Sequence, residues 1–295
     1  MMKNQLAIVI PYYKIDFFEE TLKSISKQTD KNFTLYIGND ASPNDPLPLI
    51  KEYFEEGKYN YYNYLENLGG KNLAMQWERI LENVSEDWFQ ILGDDDIIAE
   101  NFVEEFYKQI DEVEENKINV IKISQYWIDE ENLRLNQDTA SEKIINAKDQ
   151  FLLEFYHQYR SSLSEHIFCK HKFDLVGFKK IPLAWHTDNL AVFEVSDFST
   201  IYFINETKIM VRMSGVNISN SDNYNEQKIL AKHLYREYLL KNFNKKFQKS
   251  FLIEELKNYR EDLWRNNLKS NVPLFSLYIK LGFYRKALGS LIHKK

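Results

Sequence analysis

The sequence predicts an α/β fold, a doubly wound, mostly parallel sheet with helices on both faces, followed by a helical C-terminal extension. Short apolar runs alternate with helix-length amphipathic stretches through the first 125 residues. The apolar runs lack period-two patterning, as expected of strands covered on both faces. From Asn223 onward the pattern becomes helical and basic.

Taken in order, "LAIVIP" (6–11) reads as a buried strand. "DFFEETLKSISKQ" (16–28) has apolar residues three and four apart, the spacing of one helix face. "FTLYIGND" (33–40) is the second strand, followed by the turn "ASPND" and a helix around 47–56. "YNYYNYLE" (59–66) is the third, followed by "NLGG" and a helix over 72–84. "WFQIL" (88–92) is the fourth strand, 99–116 a helix, and "NVIKIS" (119–124) a fifth strand. Residues 125–221 are less regular. They give an acidic loop (129–142), a helix near 148–158, a strand "EHIFCK" (165–170), the segment "IPLAWHTDNLAVFEV" (181–195), and two short strands, "TIYFI" and "KIMVRMS".

At 295 residues the chain can bury a substantial core. Its net charge of −6 is uneven, with +9 from Asp222 to the end and −15 before it. An acidic body argues against nucleic acid as a partner. The basic C-terminal segment suits either an anionic membrane surface or a solvated helical face. Cys169 is the single cysteine, so no internal disulfide forms and a cytoplasmic home is the simplest expectation. No run of eighteen apolar residues exists to span a membrane.

In sheets of this kind ligands bind beyond the carboxyl ends of the strands. Three such ends carry distinctive residues: Pro11-Tyr12-Tyr13, Asn39-Asp40-Ala41-Ser42, and Asp94-Asp95-Asp96 between "WFQILG" and "II". Three adjacent carboxylates repel one another unless something positive neutralises them. They read as a solvated turn with a helix N-cap, as a site for Mg²⁺ or Mn²⁺, or as a carboxylate nucleophile. The metal reading implies a diphosphate ligand, because these cations complete their shells with phosphate oxygens and water. No Gly-x-x-x-x-Gly-Lys-Ser/Thr loop is present, so this is not a P-loop NTPase, and the missing Gly-x-Gly-x-x-Gly run argues against a dinucleotide redox enzyme.

The order and spacing of "IVIPYYK", "YIGNDASPND", "ENLGGKNLA" and "ILGDDD" resemble the family 2 glycosyltransferases of the GT-A fold over roughly residues 5–125. The resemblance implies a nucleotide-sugar donor bound across strands one, two and four, with residues 1–125 binding the donor, 126–221 forming the acceptor side, and 222–295 a basic helical extension. It implies that Asp40 accepts hydrogen bonds from the base, that Pro11 and Tyr12 line the nucleotide pocket, and that Asp94 lies beside the ribose or metal-bound water. Asp95 becomes the direct ligand of Mn²⁺ or Mg²⁺, with Asp96 behind it. Gly93 departs from the commoner Asp-x-Asp-Asp pattern, leaving room but removing a ribose contact. Lys71 stands nearest to where the family often has an arginine; it reads as a phosphate contact or as an exposed lysine at a helix start.

The resemblance places a catalytic base well after the metal motif, and "LAWHTDNLAVF" supplies Asp188. Asp188 reads as that base or as a helix cap. His186 is the rival base or a ligand of the departing diphosphate, and Trp185 a wall on which a sugar stacks. An ordinary Asp, with a pKa of about 4, is a weak base, so proton transfer would come late. Glu165 and His166 are expected at the edge of the acceptor pocket, though a lone His is often structural. Arg212 grips phosphate or ends a strand at the surface. The tail 272–295 lies in a membrane interface or caps the domain's own core.

Together these readings lead to a metal-dependent inverting glycosyltransferase, moving a sugar from a UDP-linked or other nucleotide-diphosphate donor to a hydroxyl of a glycan or lipid-linked acceptor. The setting would be cell-surface polysaccharide synthesis at the inner face of the membrane. A sugar nucleotidyltransferase would need a Gly-rich basic loop after the first strand, and "PYYKIDFF" lacks one. A catalytically silent nucleotide-sugar-binding protein is the other alternative.

Overall fold

The computed structural model describes residues 5–156, 161–215 and 224–292. Strands β1 (Leu6–Tyr12), β2 (Phe33–Asp40), β3 (Tyr59–Tyr64) and β4 (Trp88–Ile91) are joined by helices α1 (Phe18–Ser26), α2 (Leu47–Tyr53) and α3 (Leu73–Leu81). They lie in the order β3-β2-β1-β4, all parallel. Leu6, Ile8, Ile10 and Tyr12 pack with Phe18, Leu22 and Ile25 of α1 in one hydrophobic cluster. Ala7 and Val9, which alternate to the opposite face, are equally inaccessible. Two covered faces explain why the strand reads as one apolar run. Each large apolar side chain withdrawn from water contributes roughly 1.5–3 kcal/mol.

The chain continues through β5 (Ile97–Ile98), α4 (Phe102–Glu115), β6 (Val120–Ile128), β7 (Ile144–Asn146), α5 (Ala147–Phe155), β8 (His166–Cys169), α6 (Lys170–Phe173), α7 (Thr187–Val195) and β9 (Thr200–Arg212). The sheet extends as β8-β6-β9-β5, with β7 also on β9. Two details differ from expectation. The fifth predicted strand, β6, does not join β4, because β8 inserts between them antiparallel to both. "TIYFI" and "KIMVRMS" form a single strand, β9, parallel to β6. Its register jumps so that Ile123 faces Ile204 while Ser124 faces Lys208. The polar residues Asn205, Glu206 and Thr207 occupy that bulge, which is why the apolar pattern breaks there. Side-chain caps begin two helices: Asn72 accepts from the Ala74 N–H at 3.0 Å and Asn146 from the Lys148 N–H at 3.0 Å.

The chain divides into two compact units, Met1–Lys180 with Asp188–Ser221, and Ile181–Thr187 with Asp222–Lys295. The second holds a short 3-10 turn (Pro182–Ala184) and helices α8 (Asn225–Asn242), α9 (Lys249–Arg265), α10 (Leu274–Lys280) and α11 (Tyr284–Ile292). The boundary expected at 221/222, and the last turn of the helix expected to reach 158, lie outside the described residues. Among those described, no helix is long and apolar enough to cross a membrane.

Candidate active site

The carboxyl ends of β1, β2 and β4 meet at one rim, held together by side chains of the rim itself. One carboxylate oxygen of Asp94 accepts from the backbone N–H groups of Tyr13 and Lys14, both at 2.8 Å, tying the end of β4 to the end of β1. The Ser42 hydroxyl donates to the Tyr13 carbonyl at 2.6 Å, joining β2 to the same point. Pro11 is partly exposed at this edge, paired with Gly38. Tyr12 does not line the pocket as expected. It is fully buried, its ring 4.6 Å from that of Phe18, and its hydroxyl donates to the Asn44 carbonyl at 3.1 Å. Strand alternation turns it inward and leaves Tyr13, 41% exposed, at the rim.

Asp40 ends β2 with its carboxylate nearly closed to solvent. It accepts from the Leu68 N–H at 2.8 Å, the Gly69 N–H at 2.7 Å and the Arg79 guanidinium at 2.6 Å. Burial raises its pKa, and these donors act against the rise. The "NLGG" loop is thus a cradle for Asp40. A Cβ on Gly69 would lie 2.6 Å from the Asp40 carboxylate, so only glycine fits. Arg79 was not among the expected site residues. Its guanidinium lies 3.6 Å over the Tyr64 ring and pairs with Asp40. The available signal was its position on α3, three residues after the buried Gln76. Lys71 itself is exposed and paired with Glu66.

The three acids differ sharply in their surroundings. Asp96 is buried, accepting from the Ser164 hydroxyl at 2.5 Å and the Arg212 N–H at 2.9 Å. Asp94 is engaged by β1 as described. The Asp95 carboxylate accepts no hydrogen bond from any described residue. Desolvation, then the charges of Asp96 and Asp94, push its pKa well above the ordinary carboxylate range, against Lys14 and Arg212. A Cβ on Gly93 would stand 2.9 Å from Asp96 and 3.0 Å from Asp95, so the glycine allows the acids to fold back on the turn.

The donor set fits a hard divalent cation. One free carboxylate, flanked by two fixed ones, concentrates negative charge on oxygen ligands. Among the described residues no three His, Cys, Asp or Glu side chains could hold a metal by themselves.

Arg212 ends β9, as one expectation had it, but its surroundings differ from both. It is 1% exposed, not a surface residue, and its guanidinium donates to the carbonyls of Asp95 (3.0 Å) and Asp129 (2.8 Å), to Asn132 Oδ1 (2.8 Å) and to the Glu20 carboxylate. With its fork spent on protein acceptors, it grips no phosphate.

Glu165 and His166 are likewise corrected, since neither faces an acceptor. Both are buried. Glu165 pairs with Lys122 at 2.9 Å and accepts from the Ser161 hydroxyl at 2.8 Å, and Lys122 also pairs with Glu154. Burial pushes Glu165 up to about 7 despite the Lys122 charge. His166 Nδ1 lies 2.8 Å from the Ser162 carbonyl, and burial drives its pKa well down. What "SEHIFCK" contributes to the rim is Ser164, which bonds Asp96 and accepts from the Gly93 N–H at 3.0 Å. A void of about 10 Å³ beside Lys122, Glu154 and Asn189 holds one water at most.

Asp188 is the second residue of α7, inside the helix, so it is not the cap. Burial raises its pKa to about 6, with the Asn189 N–H acting against the rise, Glu154 adding to it and Lys122 opposing it. It is therefore a stronger base than an ordinary Asp, yet ionised at neutral pH. In the other unit, the His186 ring stacks on Tyr235 at 4.6 Å, and desolvation with the charges of Lys232 and Arg236 lowers its pKa to about 3. Such a ring is neutral and a far weaker base than Asp188. Trp185 lies edge-on to His186 at 5.9 Å, with the Lys228 ammonium 5.4 Å from its ring. Leu183, Ala184 and His186 all take positive φ, a backbone state unfavourable to non-glycine residues.

Comparison with known proteins gives one family, Glycosyl transferase family 2, whose model matches residues 7–172. The curated "Glycosyltransferase GlyA" of Streptococcus pneumoniae serotype 4 is 28% identical over 111 residues, 37% of this chain and 16% of that protein. Among solved structures, S. aureus TarS superposes with a TM-score of 0.60 at 14% identity, covering 96% of this chain and 49% of that one. TarS 1–349 in complex with UDP-GlcNAc gives 0.64 at 16% identity, over 98% and 80% of the two chains. At these identities the likeness is one of fold. The present chain spans about half of the TarS chain and about a sixth of the pneumococcal protein.

Proposed function

Because this chain belongs to glycosyl transferase family 2, we propose that it moves a sugar from a nucleotide-diphosphate donor, of the UDP type, to a hydroxyl of a glycan or lipid-linked acceptor in cell-surface polysaccharide synthesis. The transfer inverts the anomeric centre and depends on Mn²⁺ or Mg²⁺. The observation that carries this reading is the free, charge-crowded Asp95 at the rim where β1, β2 and β4 end. A UDP-GlcNAc complex of the structural neighbour TarS supports the UDP donor.

In this mechanism Asp40 and Arg79 present a fixed carboxylate and guanidinium to the base of the nucleotide, and Pro11 edges its pocket. Asp95 would hold the cation, with Asp94 beside it and Asp96 anchoring the turn. The bound ion would supply charge neutralisation for the departing diphosphate. Asp188 takes the proton of the attacking acceptor hydroxyl, and its raised pKa brings it nearer the operating pH. The basic C-terminal unit, with Trp264 (83% exposed), Tyr284 (64%) and Leu288 (63%) open to solvent, suits contact with the anionic inner face of the cell membrane.

The test is release of nucleoside diphosphate from a panel of UDP-, GDP- and dTDP-sugars, with Mn²⁺ and with chelator. Metal-dependent turnover of a UDP-sugar that is lost in Asp95→Ala is expected. Unchanged donor affinity and hydrolysis in that variant would remove the metal role, and no turnover of any donor would leave only a binding protein.

A further inference from the structure

Arg212 heads the fully buried side chains by volume. Burying a guanidinium is costly unless paired and fully hydrogen-bonded, and this one satisfies both conditions with groups from three segments. Its Nε donates to the Asp95 carbonyl at 3.0 Å, while its backbone N–H donates to the Asp96 carboxylate at 2.9 Å. One residue thus grasps the Asp95–Asp96 stretch twice. The remaining nitrogens reach Glu20 on α1 and the Asp129 carbonyl and Asn132 in the loop after β6. The Phe17 ring lies 4.3 Å from the guanidinium carbon.

We infer that Arg212 is the positioning residue of the acid triplet: it fixes the backbone from which Asp95 projects and supplies the buried counter-charge that lets three adjacent carboxylates stand together before a cation arrives. This rests on the reading of Asp95 as the metal ligand. A lysine would keep the charge but not the planar fork needed to reach Asp95, Asp129 and Glu20 at once.

Calorimetric titration of UDP, with Mn²⁺ and with EDTA, tests this without requiring turnover. Arg212→Lys should cut the Mn²⁺-dependent gain in affinity about tenfold, the loss typical of removing a group that orients a metal ligand. Binding in EDTA should stay within about twofold, as should that of Asp95→Ala. An undiminished gain, or equal losses in both conditions, overturns the inference, the second outcome marking Arg212 as merely structural. If Arg212→Lys does not fold, Glu20→Gln, at a side chain 38% exposed, removes the guanidinium's ion-pair partner. It should then reduce the same gain about threefold, in the direction of the tenfold loss above; the wild-type gain would refute the role. Asp95→Ala separates the two readings. If it abolishes the gain while Arg212→Lys retains it, only the positioning role fails. If Asp95→Ala keeps the gain, or the wild type shows none, the metal reading fails instead.

Discussion

Clustered acids meet two different fates in this molecule. At the ends of β1, β2 and β4, Asp40 and Asp94 are held chiefly by backbone N–H groups of neighbouring loops, and Asp95 is left without a protein donor. Around the start of β8, Glu165 and Glu154 are closed against Lys122, itself 1% exposed. The difference follows from the partners each carboxylate meets, not from which edge it occupies. Parallel strands deliver their carboxyl ends to a common edge where a ligand can enter. β8 runs antiparallel to β4, so its start lies at that same edge, where Ser164 meets Asp96 while the next residue, Glu165, is buried against Lys122 with Glu154 of α5. Asp95, left without a protein donor, is open to a ligand, whereas Asp40 and Glu165, both buried, each rest on a cation, Arg79 and Lys122.

Asp188 tests this division most severely, because the base proposed for the transfer owes part of its environment to the buried group. Asp188→Asn should lower kcat by about 10²–10⁴-fold, the range for a lost general base. With a pKa of about 6, the base is lost to protonation as pH falls. The rate should therefore be flat above that value and drop about tenfold for each further unit below it. A profile that stays level down to pH 5 in donor-saturated assays would transfer the role elsewhere.

The buried side of the comparison breaks through stability. Lys122→Met leaves Glu165 and Glu154 without their cation and should cost about 3–5 kcal/mol in denaturant unfolding. The pH dependence has a definite sign. Glu165 is raised to about 7 when folded, against about 4.3 in an unfolded chain. The folded state thus binds the extra proton, and this contribution to stability is full below about pH 4 and lost as pH rises through 7. Glu165→Gln should flatten unfolding free energy across that window, and an unaltered slope would show that Glu165 does not titrate there.

Legibility followed the same divide. The four parallel strands, their helices and the rim positions of Asp40 and Asp94–Asp96 were readable because local pattern fixes both strand and strand end. Tyr12 was misread although strand alternation alone turns it inward, and Glu165, His166 and Arg212 because their surroundings come from residues distant in sequence. Arg212 meets Glu20, Asp95 and Asp129 only through the long pairing of β9 with β6. Ser164 and Arg79 went unnoticed for the same reason, each meeting its acid, Asp96 or Asp40, only in the folded chain.

Gly93→Ala sharpens the comparison on the rim side. The added methyl would press on Asp95 and Asp96 at about 3 Å, so the acids must move while the buried cluster around Lys122 is untouched. Metal-dependent transfer should fall about tenfold, with a stability loss of about 1 kcal/mol. Equal loss of UDP affinity with and without metal would mean that the whole rim had shifted.

The smallest effect belongs to the most exposed charge. Lys71 pairs with Glu66 in solvent, its side chain 64% accessible, and such pairs contribute only about 0–1 kcal/mol. Lys71→Ala should therefore leave the unfolding midpoint within experimental error. Its effect on the donor separates the two readings of this lysine. A phosphate contact predicts a rise of about tenfold in KM for the nucleotide-sugar, steepest at low ionic strength where exposed charges are least screened. A helix-start lysine predicts no change at any salt concentration. Arg79, seated on Asp40 and over Tyr64, leaves the rim a cation when Lys71 is removed, so no change is the expected outcome.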